Sequence, residues 1–189
     1  TNDTSFNTSV GFKSMNKNVD ASSNVAIGWK TLYSGISGQF NVALGAESLY
    51  FADNSFNTAL GFRTLYSNKS DNNTAIGFKS SFSNINGTNN ISIGSESLYS
   101  NIDASENISI GSQSLYNNDS SYNIAIGHQT LYNNISPNNT SIGWKSSFNN
   151  TIGTNNIIVG KLSSFNNLSG DGIIAIGNEA LYNLSLIHI

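Results

Sequence analysis

The sequence predicts an all-β fold: a parallel β-solenoid (β-roll) of about 11 rungs of 16 to 17 residues. Three observations predict it, namely glycines at a regular spacing, an apolar residue before each of them, and an asparagine four residues before nearly all of them. We call these glycines the repeat glycines and number the other positions of each rung from them. They are Gly11, Gly28, Gly45, Gly61, Gly77, Gly94, Gly111, Gly127, Gly143, Gly160 and Gly177.

The apolar residues at position −1 argue against disorder. Hydrophobic residues make up only 38% of the chain, and Asn and Ser are abundant, a composition that alone suggests a disordered tract. A disordered chain has no reason to keep aliphatic residues in register, yet all eleven −1 residues are apolar. They are Val10, Ile27, Leu44, Leu60, Ile76, Ile93, Ile110, Ile126, Ile142, Val159 and Ile176.

The segment before each repeat glycine has the alternation of a β-strand, as in residues 73–77. Successive side chains of a strand point to opposite faces, so positions −3 and −1 share one face, and positions −4 and −2 share the other. Position −2 is Ala or Ser in ten of the eleven rungs. A uniformly small column indicates that another backbone comes close, so we expect a partner chain against this column.

Position −4 is asparagine in ten rungs, with Ile173 as the exception. In a coil with strands stacked about 4.8 Å apart, we expect each side-chain amide to bond the amides above and below it. This predicts a structural asparagine ladder. It consists of Asn7, Asn24, Asn41, Asn57, Asn73, Asn90, Asn107, Asn123, Asn139 and Asn156.

After each repeat glycine we expect a second strand, with Ser or Thr at +3, frequent Leu at +4 and an aromatic residue at +5 in ten rungs. An aromatic column permits carbohydrate binding or packing, and the neighbouring Leu favours packing. A second asparagine column at +7 predicts the return turn.

A longer period of 66 residues covers four rungs, and it repeats the loops as well as the core positions. Residues 87–90 match residues 153–156, for example. The simpler interpretation is gene expansion by four-rung blocks. The alternative is that every fourth rung, about 19 Å further along the axis, presents the same surface to a repetitive ligand.

Composition excludes several functional classes. The net charge of −3 gives no electrostatic basis for nucleic-acid binding, and there is no apolar run long enough to enter a membrane. There is no cysteine, and His128 is the only histidine before the last six residues, so we expect no metal site and no cofactor. Glu47 and Glu96 are three rungs, or about 14 Å, apart, which is too far for a glycosidase pair.

Position +1 is the best candidate for recognition because it varies while the scaffold positions do not. Exposed aromatic rings followed by lysine can stack on sugar rings, or they can cover a neighbouring chain, and both interpretations stay open. The candidate ligand or partner residues are Phe12, Trp29, Lys30, Phe62, Phe78, His128, Trp144 and Lys145.

We expect residues 1–183 to form a single solenoid domain without a terminal cap. Residues 184–189 break the repeat at every position and look like the translation of a transposase sequencing adapter, so we expect them to be a non-native tail. The alternative is a genuine hydrophobic end segment. If the tail is an adapter, the natural protein continues beyond Asn183.

The repeated unit Asn-x-Ala-Ile-Gly-x-x-Ser/Thr-Leu-Tyr-x-Asn resembles the YadA-like head repeats of trimeric autotransporter adhesins, and it is even more similar to repeats of tail-fibre-like surface proteins. The resemblance covers residues 7–183, although the rung is longer than that of the adhesins and adds the aromatic column. It implies a left-handed β-roll, a homotrimer and an extracellular location on a cell surface or virion.

The function expected from this resemblance is a non-enzymatic fibre segment, an adhesin head or a tail-fibre shaft. Such a segment would attach through many weak contacts to a host-surface glycan or matrix protein. The alternatives are a β-solenoid enzyme that degrades surface polysaccharide and an ice-binding protein. The enzyme would need two carboxyl groups within about 10 Å. Only four residues of the −3 column are threonine, which disfavours ice binding.

Overall fold

The computed structural model describes residues 6–51 and 53–183, and it confirms the parallel β-solenoid. The expected tail at residues 184–189 lies outside the described residues. Eleven strands form one parallel sheet in chain order, with one strand from each rung. The strands of this sheet are β1 (Thr8–Val10), β2 (Val25–Ile27), β3 (Val42–Leu44), β4 (Thr58–Leu60), β5 (Thr74–Ile76), β6 (Ile91–Ile93), β7 (Ile108–Ile110), β9 (Ile124–Ile126), β11 (Thr140–Ile142), β12 (Ile157–Val159) and β13 (Ile174–Ile176).

Two further strands of two residues, β8 (Asn117–Asn118) and β10 (Asn133–Asn134), form a small second parallel sheet. In the large sheet the register is constant, so positions −3, −2 and −1 of one rung pair with the same positions of the next. For example, Thr74 pairs with Ile91, and Ile76 pairs with Ile93. A fixed register stacks like side chains into straight columns along the axis.

The interior of the coil is narrow. Small residues at −2 fill it from one side, and the residues at +3 and +4, often leucine at +4, fill it from the other. From β2 onward, position −2 is buried in every rung, and the residues at +3 and +4 are buried in every rung except the last. Ala43, Ala59, Leu49 and Leu65 belong to one such cluster, and each is fully buried. The +3 hydroxyls donate to carbonyls of the next rung, as from Ser48 to Ala59 at 3.2 Å.

The expectation of a partner chain against the −2 column is therefore wrong. Ala43 and Ala59 are fully buried by their own chain, against leucines of the opposite wall. The column is small because the interior has room for one large residue per rung, not two. Ile158 fits this rule, because it is the one large residue at −2 and the residues at +4 beside it are small. Position +4 is Ser164 on its own rung and Ser147 on the preceding rung.

The expected second strand is also wrong, because positions +1 to +5 form a tighter backbone than a β-strand. Adjacent residues at +3 and +4, such as Thr64 and Leu65, are both fully buried. A strand would point them to opposite faces. The chain places both inside by taking a positive φ at +2 and +4, for example 52° at Arg63 and 50° at Leu65. Rung-to-rung hydrogen bonds still continue through the segment, as from Leu65 N–H to the Ser80 carbonyl at 3.0 Å.

Left-handed residues are a constant feature of the rung. Among the described residues, every non-glycine residue with positive φ lies at −5, +2 or +4. The repeat glycines add a fourth special position with φ between 129° and 142°, a region essentially restricted to glycine. At Gly94 an added Cβ would lie 2.6 Å from the carbonyl oxygen of Gly111, so the glycine column also lets successive backbones approach.

Candidate functional site

The asparagines of position −4 form a buried ladder, but its bonds are not those expected. The side-chain Oδ1 accepts the backbone N–H of the next asparagine, as from Asn57 to Asn41 at 2.9 Å. The Nδ2 donates to a loop carbonyl, as from Asn41 to Asn54 at 2.7 Å. Amide-to-amide bonds along this column occur at 3.2 Å from Asn24 to Asn7 and from Asn107 to Asn90. The ladder thus fastens the start of each strand to the loop of the following rung.

The true amide-to-amide ladder lies at position +7, which the sequence marked only as a turn. The Nδ2 of Asn84 donates to Oδ1 of Asn68 at 2.7 Å, and Asn101 donates to Asn84 at the same distance. The second hydrogen of each amide closes its own turn, as from Asn101 to the Ala104 carbonyl at 2.8 Å. The recurrence of asparagine, where any turn-forming residue would serve, is the signal that could have identified this ladder.

The aromatic residues of position +5 form one continuous stack of ten rings. Neighbouring centroids are 5.0 to 5.3 Å apart, with interplanar angles between 3° and 23°. Each inner ring faces another ring on both sides, so only its edge is open to a ligand. This geometry agrees with packing as the role of the column. The rings are Tyr33, Tyr50, Tyr66, Phe82, Tyr99, Tyr116, Tyr132, Phe148, Phe165 and Tyr182.

The tyrosines of the stack predict that the protein loses stability at alkaline pH. Burial raises the pKa of the Tyr66 and Tyr116 phenols, with further increases from Glu47 beside Tyr66 and Glu96 beside Tyr116. The unfolded phenol, with a pKa of about 10, therefore ionises first, and stability should fall as pH rises through that value and the folded pKa. We expect tyrosinate absorbance to develop later in the folded protein than in urea. Tyr116→Phe should remove one late-titrating group, and coincident titration curves for the folded protein and the protein in urea would contradict the prediction.

The aromatic residues of position +1 are exposed, unlike the buried residues at +3 and +4. Trp29 and Trp144 are each 43% exposed, and Phe12, Phe62 and Phe78 are exposed as well. Phe62 and Phe78 stack at 5.8 Å. His128 lies at the same position on the rung before Trp144 and is not buried. All eight candidate residues thus belong to one stripe along the axis, formed by positions +1 and +2, although they do not converge on a single pocket.

Each aromatic residue at +1 carries the cation at +2 above its ring. The Lys30 Nζ lies 4.4 Å from the Trp29 ring centroid and 5.7 Å from the Tyr33 centroid. The Lys145 Nζ lies 5.0 Å from the Trp144 centroid and 5.5 Å from that of Phe148. These distances fall within the range of cation–π attraction. The sequence showed the adjacency of ring and lysine, but not that the ammonium group bridges the +1 and +5 columns.

The acidic residues at +2 make contacts along their own column. Glu47 is almost fully buried and accepts a 2.6 Å bond from Arg63 Nε, which raises the pKa of the guanidinium. The Gln113 side chain donates to Glu96 at 2.9 Å, and Gln129 donates to Gln113 at 2.7 Å. The two carboxylates considered for an enzyme thus each have a neighbour on the next rung. Within the described ranges, no cluster of three or more His, Cys, Asp or Glu residues forms a metal site.

The second surface of interest is the outer face of the large sheet, formed by positions −3 and −1. No side chain of these two columns is buried, although most are Val, Ile or Leu. Val42, Leu44, Ile91 and Ile142 are exposed, for example. The sequence predicted that −3 and −1 share a face, but it did not show that this face is the outer one. The smallness of the −2 column is the signal that could have decided it, because small residues suit a narrow interior.

No protein-family model, curated protein or solved structure matches this chain. Over residues 6–51 and 53–183, no helix is long and apolar enough to cross a membrane.

Proposed function

We propose that the chain is a structural and adhesive segment of an extracellular fibre, in which copies associate through the outer aliphatic face of the solenoid. The observation that carries this proposal is that the Val, Ile and Leu side chains along positions −3 and −1 are all exposed or half-buried, from the first rung to the last. Burial of this face against further copies would give a rigid rod, and the rod would display the aromatic and cationic stripe at +1 and +2. The cell surface or the virion is the proposed location.

The size of the aliphatic face favours an assembled state. Eleven strands spaced about 4.8 Å apart extend the face over about 48 Å, with about 7 Å between its two columns. Contiguous exposed apolar patches of more than a few hundred Å² mark interaction sites in soluble proteins. The constant register keeps the face straight, so a second copy can follow it from end to end.

The number of copies in the proposal comes from the resemblance to the trimeric adhesin repeats, which supports a homotrimer with the aliphatic faces turned inward. A narrow, straight aliphatic face on each chain suits a central axis, where each copy contacts two others. The exposed stripe at +1 and +2 then supplies many equivalent weak contacts to a host-surface glycan or matrix protein. Linked weak contacts raise the overall avidity without a deep pocket.

A charge in the middle of the aliphatic face tests the assembly. Ile91→Glu should convert a trimer to monomers, because a carboxylate would be buried in an apolar interface. Ile91 is already exposed in the single chain, so the β-sheet circular dichroism signal should be kept. The matched control is Ile102→Glu, which changes a comparably exposed isoleucine in a loop and should leave the mass unchanged. Sedimentation equilibrium of the three proteins gives the masses.

A monomeric mass for the unaltered chain would overturn the proposed assembly. The proposal would also be wrong if Ile102→Glu dissociated the assembly as fully as Ile91→Glu, since the contact would then not be specific to the aliphatic face.

A further inference from the structure

The residues at +1 and +2 are strictly paired. All five aromatic residues at +1 are followed by lysine or arginine, and none of the six other +1 residues is followed by a cation. Where +1 is small, +2 is acidic or an amide, as at Ala46-Glu47 and Ser112-Gln113. The paired residues are Phe12 and Lys13, Trp29 and Lys30, Phe62 and Arg63, Phe78 and Lys79, and Trp144 and Lys145.

Only one of these five cations has an acidic partner within the described residues. Arg63 forms an ion pair with Glu47, whereas the four lysines form none. Each lysine Nζ instead lies 4.4 to 5.3 Å from the centroid of its +1 ring. A solvent-facing ammonium group beside an aromatic ring keeps its full charge for an external anion.

The closest cluster of cations around one ring is at Trp144. The Nζ of Lys161, on the next rung, lies 5.5 Å from the Trp144 centroid, in addition to Lys145 at 5.0 Å. Two ammonium groups thus approach one exposed indole. Glu179, the acidic residue of the +2 column on this side, lies two rungs beyond Lys145 and one rung beyond Lys161. Its backbone N–H donates to the Lys161 carbonyl at 2.8 Å, but among the described residues its carboxylate forms no ion pair with either lysine.

The stripe is locally positive although the chain carries a net charge of −3. Six exposed aspartates lie instead in the loops that join one rung to the next. Several of them close these loops: Asp71 accepts the Ser55 N–H at 2.8 Å, and Asp171 accepts the Thr154 N–H at 2.6 Å. The loop aspartates are Asp20, Asp53, Asp71, Asp103, Asp119 and Asp171. Separation of charge in this way produces a local field that attracts anions.

We infer that the stripe binds acidic polysaccharide, with sugar units that carry carboxylate or sulfate groups, and that Trp144, Lys145 and Lys161 form its principal subsite. The inference rests on the proposed adhesive function and names the class of ligand. The ammonium groups bind the anionic substituent by charge-assisted hydrogen bonds, and the indole contacts the apolar face of the sugar. A neutral sugar that stacked on the ring would displace the ammonium group, and it would offer no charge to compensate for the lost cation–π attraction.

The four-rung period supports a polymeric ligand over a single small sugar. The pairs at Phe12, Phe78 and Trp144 are 66 residues apart, which places them about 19 Å apart along one straight column. A chain molecule that follows the axis can therefore contact several pairs together. Simultaneous contacts give high avidity from weak single sites.

Binding to three immobilised polysaccharides of matched length tests the inference: a sulfated glycosaminoglycan, an alginate rich in uronic acid, and neutral dextran. The unaltered chain should bind one or both acidic polymers, with affinity that falls as salt is added, and should bind dextran at least tenfold more weakly. The double variant Lys145→Gln and Lys161→Gln should lose about tenfold in affinity. The double variant Lys17→Gln and Lys69→Gln, which removes two exposed lysines outside positions +1 and +2, is the matched charge control and should bind as before.

Trp144→Ala separates recognition of a sugar from attraction by charge alone. It should weaken binding to the acidic polysaccharide but leave unchanged any binding of inorganic polyphosphate of equal charge, which has no ring that could stack on the indole. Equal binding of the polyphosphate and the acidic polysaccharides, or an equal loss in the double variant Lys17→Gln and Lys69→Gln, would overturn the inference.

Binding of dextran that does not depend on the lysines would also overturn the inference, but it would leave the adhesive function standing. No binding to any polysaccharide would reject both the inference and glycan adhesion. The assembly through the aliphatic face is tested separately, by mass.

Discussion

Replacing Gly94 by alanine is expected to lower the free energy of unfolding by about 3 kcal/mol or more. Gly94 lies in the middle of the stack with φ of 136°, and an added Cβ would meet both the carbon and the oxygen of the Gly111 carbonyl at 2.6 Å. Backbone cannot rotate away as a flexible side chain can, so the rungs must separate or the strand must shift. Strain at such a φ and overpacking each cost on the order of 1–3 kcal/mol. Urea unfolding followed by circular dichroism measures the loss.

Two glycine substitutions separate the causes of this effect. Gly177→Ala has nearly the same φ, 134°, but its nearest contact would be the Ala180 Cβ at an ordinary 3.8 Å. Gly172→Ala, at φ 67°, would meet nothing within 4 Å. Gly177→Ala should keep only the cost of the strained φ, about 1–3 kcal/mol, and Gly172→Ala, in the ordinary left-handed region, should cost about 1 kcal/mol. Both losses should be smaller than that of Gly94→Ala. If Gly177→Ala were as damaging as Gly94→Ala, backbone strain and not the contact between rungs would be the cause.

Replacing Asn90 by alanine is expected to cost about 3 kcal/mol. The buried Asn90 side chain accepts the Asn107 N–H at 3.0 Å and donates to the Ala104 carbonyl at 2.9 Å. Its removal leaves the buried Asn107 N–H and the Asn107 Nδ2, which donates to Asn90 at 3.2 Å, without their acceptor, at about 1–3 kcal/mol each. The Ala104 carbonyl keeps the Asn101 Nδ2 as a donor. The unfolding midpoint in urea should fall accordingly, and protection of the Asn107 amide from hydrogen exchange should decrease.

Asn149→Ala is the matched control, because Asn149 belongs to a ladder on the surface. Its Nδ2 donates to Asn166 at 3.1 Å in an exposed position, where water can replace the bond. We expect a loss below about 0.5 kcal/mol. Equal losses at Asn90 and Asn149 would show that the buried ladder adds nothing beyond a surface hydrogen bond.

The sequence was sufficient for the β-solenoid because the repeat glycines, the −1 column and the −4 asparagines are each required by stacking itself. It was not sufficient for the direction of the side chains. Alternation shows that Ala75 and Ile76 face opposite sides, but it cannot show which side is the interior. Hydrophobicity favours Ile76, whereas the narrow coil accepts only the smaller residue, so the steric limit decided the outcome.

The adjacent pair Thr64 and Leu65 shows why the second strand was predicted wrongly. A hydroxyl residue beside leucine resembles the alternation of a strand with one buried face. Both are buried, since Arg63 and Leu65 take left-handed conformations that no sequence pattern disclosed. The candidate surface at +1 was easier to predict. The residue at +1 varies from rung to rung while the scaffold positions stay constant, and such variation indicates a side chain exposed to solvent. The ammonium groups over its rings depend on this same backbone and could not be deduced.

The left-handed residues also bear on how the chain folds. Each rung has non-glycine residues with positive φ at +2 and +4, and in ten rungs at −5 as well, at roughly 1 kcal/mol each. Only hydrogen bonds and contacts with neighbouring rungs offset this energy, so one isolated rung is unstable. Folding must therefore begin with a nucleus of several rungs and spread outward from it. Fragments below a minimum length should remain unfolded, while long arrays, once nucleated, should lose their structure only slowly.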